Sequence, residues 1–173
     1  MIIRKTTIVF TFLLIIGCGT SPIQLSSKTT LSQSEGIVYD RVKVIEGGTE
    51  KKLEFLGESH FGLIILCNDT HESIYVPLHG TGEFYWHLQE GTYIIASFEW
   101  NHHGILSGRI FTRFSVLENK SNYIGTLVLR FSSGGYRISI DSEFENSTEL
   151  LLDKFPNIKN EIIVNLMKKE CKR

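Results

Sequence analysis

The feature that most constrains this chain is a recurring strand texture across residues 37–144. Short runs of β-branched and aromatic residues are cut at intervals by Gly, Asn and Asp. Punctuation of that kind is the pattern of an all-β sandwich. The clearest run is Gly82–Leu88. Phe84, Trp86 and Leu88 fall on one face and Glu83, Tyr85 and His87 on the other, because successive side chains of a strand point to opposite sides. Further strands are expected at 37–45, 62–68, 73–78, 92–100, 107–116, 122–131 and 136–141. The turn at Gln89-Glu90-Gly91 is expected to make a hairpin of the strands on either side of it. One face of each strand should be core, which selects Ile64, Leu66, Phe84, Trp86, Leu88, Ile94, Ala96, Phe98, Ile110, Phe114, Leu127, Leu129 and Ile138. A register slip of one residue would swap these faces.

After Phe144 the apolar period becomes helical. Asn146 is expected to cap a helix through Ser147–Phe155, with Glu149 placed as in a capping box and Pro156 ending it. Asn157 is expected to cap a second helix, with Ile158, Ile162, Ile163 and Leu166 as its apolar stripe. Lys168, Lys169, Lys172 and Arg173 gather where the helix dipole favours cations. The predicted fold class is therefore mainly β: a single antiparallel β-sandwich over 37–144, with one or two short α-helices in a tail over 145–173.

The first residues carry a different signal. Arg4 and Lys5 precede an apolar run of 11 residues, Thr6 to Ile16. A membrane-spanning helix needs roughly 20 such residues, so this run reads as a signal peptide over 1–17. It ends at Ile15-Ile16-Gly17-Cys18, which resembles a bacterial lipobox, although Leu is usual where Ile15 stands. The resemblance implies cleavage before Cys18 and a diacylglyceryl lipid on its sulfur. Gly19 in place of Asp implies, by the rule for Gram-negative lipoproteins, transfer to the outer membrane. Residues 18–36 are rich in Ser and Thr and lack apolar periodicity, so they read as a lipidated flexible tether. Loss of Arg4 and Lys5 takes the net charge from −1 to −3, and no basic run precedes the extreme C-terminus. Nucleic acid is excluded as a partner on that ground.

The stretch Gly82–Ile95 resembles the G-x-F-x-W-x-L-x-x-G-x-Y-x-I hairpin of prealbumin-like domains, the carboxypeptidase-regulatory-like sandwiches of bacterial surface lipoproteins. Phe111–Val116 and Tyr123-Ile124-Gly125-Thr126-Leu127 follow in that family's order. The family usually has Pro where this chain has Glu90, and the resemblance covers roughly 60–140. It implies a prealbumin-like sandwich and no particular reaction, since members are mostly non-catalytic.

Residues that could carry chemistry are scattered. Six histidines (His60, His71, His79, His87, His102 and His103) raise a metal-binding reading, but no spacing of a known zinc motif occurs. Glu58, Ser59 and His60 are adjacent without a nucleophile elbow, and Glu83, Glu90, Glu99 and Asp141 are candidate paired carboxylates for a hydrolase. Neither pattern specifies an enzyme, and no cofactor motif is present. With Phe84 and Trp86 inward, Tyr85, His87, Trp100, His102 and His103 form a candidate recognition patch, because aromatic side chains anchor interfaces. Packing of these aromatics under the C-terminal helices is the competing expectation. Once Cys18 is acylated, Cys67 and Cys171 remain, and both are expected to stay as thiols. The sequence thus points to a non-catalytic envelope lipoprotein, anchored by lipid and acting as a structural or protein- or glycan-binding accessory module. A metal-binding protein and a small envelope hydrolase are the alternatives.

Overall fold

The computed structural model describes residues 23–26, 33–53, 60–101 and 104–170. Its strands, in chain order, are β1 Ile23–Gln24, β2 Glu35–Glu46, β3 Thr49–Lys51, β4 His60–Cys67, β5 Ser73–Leu78, β6 Glu83–Gln89, β7 Gly91–Asn101, β8 Ile105–Val116, β9 Lys120–Tyr123, β10 Thr126–Ser132, β11 Gly135–Asp141, β12 Glu161–Val164 and β13 Lys168–Lys169. The helix α1 spans Phe144–Lys154. The strands form two mostly antiparallel sheets, as a β-sandwich requires.

The first sheet is organised on β2, whose 12 residues are long enough to serve two neighbours on each side. One edge of β2 pairs with β6 over Glu35–Arg41 and then with β3. The other edge pairs in parallel with β9 over Ile37–Tyr39 and with β10 over Val42–Glu46. The expected single strand 122–131 is therefore two strands, broken at Ile124-Gly125. Gly125 adopts φ 88°, a left-handed conformation that favours glycine. The second sheet runs β13-β8-β7-β4-β5 with antiparallel neighbours throughout. Pro77 sits on its edge strand β5, where a missing ladder donor is tolerated.

The expected hairpin at 89–91 does not form. β6 belongs to the first sheet and β7 to the second, so the chain crosses between sheets at Glu90-Gly91. Phe84, Trp86 and Leu88 on β6 can thereby meet Tyr93, Ile95, Phe98 and Trp100 on β7 across the core instead of beside them in one sheet.

Most of the expected core is buried, with two corrections of phase. On β4 the inward residues are Phe61, Leu63, Ile65 and Cys67, whereas Ile64 and Leu66 are half-buried on the other face. On β7 the pairing slips between Ile95 and Ser97, so Tyr93 and Ile95 point inward before the slip and Phe98 and Trp100 after it. Ile94 and Ala96 are half-buried as a result. A bulge inserts one residue and reverses the alternation, which a strict period of two cannot show. Ile138 is half-buried at the margin of the core.

A second apolar cluster lies apart from the main core. Leu25, Ile37, Tyr39, Tyr85, Tyr123 and Leu151 are packed with Phe144, Phe155, Ile158 and Ile162. These residues come from the chain just after β1, from β2, β6 and β9 and from α1 and the chain after it, so α1 covers one face of the first sheet.

The expected helix begins earlier than its capping box implied. Its N-cap is Glu143, which makes no side-chain capping bond, and Asn146 lies inside the first turn. Glu143 is held instead by tertiary contacts described below, and these outweigh the local capping preference. The expected second helix is absent. Glu161–Val164 pairs in parallel with β9, and Lys168–Lys169 pairs with β8 in the other sheet. The run Ile162-Ile163-Val164 is β-branched, and the edge of β9 offers it a ladder, so inter-strand hydrogen bonds win over the helical period. The tail is thus a strap from one sheet to the other. The tether expected over 18–36 also contains structure: β1 pairs with β6, Leu25 is buried and β2 starts at Glu35.

Candidate functional site

The structure disperses the expected recognition patch. Tyr85 is only 4 % exposed. It does point away from the main core as its alternation requires, but Phe155 packs on it edge-to-face at 5.2 Å and Lys154 lies 4.8 Å above its ring. Trp100 is buried in the main core between the sheets, 5.5 Å from Phe131. His87 is half-buried with Nδ1 3.5 Å from a Glu35 carboxylate oxygen. His102 and His103 lie outside the described residues, as do Glu58 and Ser59. His60, His71 and His79 are exposed at separate strand ends and loops, and no three His, Cys, Asp or Glu side chains converge among the described residues. Of the candidate carboxylates, Glu83 pairs with Lys154, and Asp141 pairs with Arg130 at 3.3 Å. Cys67 is buried in the core, while Cys18 and Cys171 lie outside the described residues.

What the fold does assemble is a cluster around Asp40. On β2, parallel pairing stops at Tyr39 opposite Tyr123 and resumes at Val42 opposite Leu127. Asp40 and Arg41 therefore stand beside the break at Ile124-Gly125, where the ladder leaves room for side chains. Asp40 is 3 % exposed. Its Oδ1 accepts from the Thr126 hydroxyl at 2.9 Å, the Ser147 hydroxyl at 3.2 Å and the Arg41 amide at 2.8 Å. Its Oδ2 is buried with no hydrogen-bond partner among the described residues.

Burial dominates the electrostatics of this carboxyl and pushes its pKa up to about 6. The bonds from Thr126, Arg41 and Ser147, and least of all the Tyr123 hydroxyl, favour the ionised form and limit that rise. Three phenols flank the cluster. Burial raises Tyr39 to about 12, against the bond it shares with Thr148 at 2.8 Å. Burial and the Asp40 charge raise Tyr123, and burial with the Glu83 charge raises Tyr85. Tyr85 donates its hydroxyl to Glu83 Oε2 at 3.2 Å.

The rim is ionic. Glu143, one residue before α1, accepts from Arg41 Nη2 at 3.0 Å and from Lys43 Nζ, while its own amide donates to the Tyr123 hydroxyl at 2.5 Å. Burial alone would raise the Glu143 carboxyl. The Lys43 hydrogen bond and the charges of Arg41 and Lys43 outweigh it and hold the carboxyl below its ordinary value. A shallow groove lined by Arg41, Ser142, Glu143 and Asn146 opens to solvent beside this pair.

No known protein family, curated protein or solved structure matches the chain. The arrangement must therefore be judged on its own chemistry. A general acid or base has to come within hydrogen-bond reach of its substrate. Asp40 is sealed on all sides by β10, α1 and its own strand, so its oxygens serve Thr126 and Ser147 and do not reach the groove. The cluster fastens α1 to the sheet. Sequence reasoning missed it, although a signal was present: Asp40 interrupts the alternating apolar positions Val38, Val42 and Val44 of β2, and Ser147 falls four residues before Leu151 on the buried helix stripe.

Proposed function

We propose that this chain is a cell-envelope lipoprotein, acylated on Cys18 and held at a membrane, most simply the outer membrane. Its β-sandwich acts as a non-catalytic structural or protein- or glycan-binding accessory module. The observation that carries the reading is the N-terminal pattern of Arg4-Lys5, an 11-residue apolar run and Gly17-Cys18. Two or three acyl chains at roughly 0.8 kcal/mol per buried methylene anchor a domain of this size firmly. The non-catalytic part is supported by the use to which the polar groups are put: Asp40, Glu143 and Glu83 are each engaged in fastening α1. Growth with radiolabelled palmitate tests the anchor. The wild type should take up label, and Cys18→Ala should lose it and accumulate uncleaved precursor. Label retained in Cys18→Ala would refute the reading.

A further inference from the structure

The direction in which β1 enters the domain has a consequence for how the sandwich stands on a membrane. β1 runs antiparallel to β6, with Ile23 opposite His87 and Gln24 opposite Trp86. The Leu25 amide then donates to the Tyr85 carbonyl at 2.6 Å. The chain therefore enters near the end of the sandwich where β6 passes into β7. That end is tied together by backbone bonds from Glu90 to Ser34, from Asn119 to Glu35 and from Asn68 to Thr92. The opposite end carries the Gly47-Gly48 turn and the Ser133-Gly134 turn, whereas His79–Thr81 sits lower, where Gly82 is bonded to Val42 and His79 shares a pocket with Gln24 of β1.

Covalent reach decides between the two ends. Ile23 is five residues from Cys18, and a fully extended chain spans at most about 18 Å over that length. Ile23 lies level with His87 and hence with Ile37 on β2. From Ile37 to Glu46 the strand rises about 30 Å. A domain with its far end on the bilayer would need a tether longer than this one. We infer that the end bearing Asn68–Glu72, Glu90 and Leu117–Asn119 lies over the lipid headgroups, and that the Gly47 and Ser133 end projects away from them. This rests on acylation of Cys18. The near end is a hydrated surface that stands on headgroups without inserting: Asp69, Glu72 and Glu118 are exposed on it, and Leu117 is its exposed large apolar side chain. The far end is then the one that a partner in the compartment meets first.

The test uses the lipidated protein with Cys171→Ser, leaving Cys67, which burial keeps from labelling in the folded state. Single cysteines at Glu118→Cys, His79→Cys and Ser133→Cys carry a fluorophore. The protein is bound to phosphatidylethanolamine–phosphatidylglycerol vesicles containing a headgroup-nitroxide lipid. Quenching at Glu118→Cys should exceed that at Ser133→Cys by about twofold or more, with His79→Cys between them, since a strand length of about 30 Å separates the ends and His79 lies at mid-height beside β1. Equal or greater quenching at Ser133→Cys would overturn the orientation. So would quenching at His79→Cys matching Glu118→Cys, which would mean that the domain lies on its β1 edge. Failure to bind vesicles, with an unmodified Cys18 by mass, would overturn the lipoprotein reading itself and is distinguishable from either.

Discussion

Ser147 on α1 donates its hydroxyl to Asp40 Oδ1 on β2 at 3.2 Å, joining residues 107 apart in the chain. The same helix shares the Tyr39–Thr148 bond and the Lys154–Glu83 ion pair, so polar contacts from the adjacent Ser147 and Thr148 and from Lys154 at its end dock it on the sheet. Each is backed by apolar contact, Leu151 and Phe155 lying against the Tyr39, Tyr85 and Tyr123 cluster.

The Asp40 carboxyl makes stability depend on pH in a stated direction. Its folded pKa of about 6 is above the ordinary carboxylate value, so the folded chain binds this proton more tightly than the unfolded one. The contribution is fully present below about pH 4 and is lost as pH rises through 6, at about 1.4 kcal/mol per pKa unit. Glu83 and Glu143, both held low, act in the opposite sense and lose their contribution as pH falls. Thermal melts between pH 4 and 7 of wild type and Asp40→Asn isolate the effect. The variant should gain on the wild type as pH rises, by a few kcal/mol in total, and a constant difference would contradict the buried-proton account.

Tyr85 and Trp86 should both be intolerant of truncation, for different reasons. Trp86→Ala opens a cavity in the main core and should cost about 3–5 kcal/mol. Tyr85→Ala removes the ring that Phe155 and Lys154 cover, which should cost about 3 kcal/mol and loosen α1 first. Amide exchange checks this: α1 should lose protection in Tyr85→Ala while β7 and β4 keep theirs.

Two glycines with similar left-handed φ should respond differently to alanine. At Gly82 (φ 77°) an added Cβ would meet the Val42 carbonyl oxygen at 2.2 Å, where β2 and the entry to β6 are bonded. At Gly48 (φ 80°) it would meet nothing within 4 Å. Gly48→Ala should cost about 1–2 kcal/mol from backbone conformation alone. Gly82→Ala should cost clearly more, and denaturant melts of the pair measure the difference.

Met167 is 4 % exposed, and the Thr112 hydroxyl donates to its sulfur at 3.7 Å. It pins the strap between β12 and β13. Met167→Ala should destabilise by about 2–5 kcal/mol and expose the β8 edge to faster amide exchange. A change under 0.5 kcal/mol would mean that the tail is loosely held.

What the sequence determined by itself was local and periodic. Residue texture set the strand class, the alternation of Gly82–Leu88 correctly separated Phe84, Trp86 and Leu88 from Tyr85, and Pro156 marked where α1 stops. Such features depend only on neighbours a few residues away. What the tertiary structure decided was which partner each face met. Tyr85 faces away from the core, yet α1 covers it, so its direction was legible and its burial was not. Ile162-Ile163-Val164 fits a helix or a strand, and the open edge of β9 chose the strand. The bulge at Ala96 reversed the faces of β7, and the crossing at Glu90-Gly91 sent two consecutive strands into different sheets. Asp40 illustrates the same limit most clearly. Its place among the alternating Val38, Val42 and Val44 was visible, but its partners Thr126 and Ser147 are 86 and 107 residues away. A buried carboxylate is tolerable only where distant hydroxyls converge on it, and that convergence is a property of the packed sheets and helix, not of any local window.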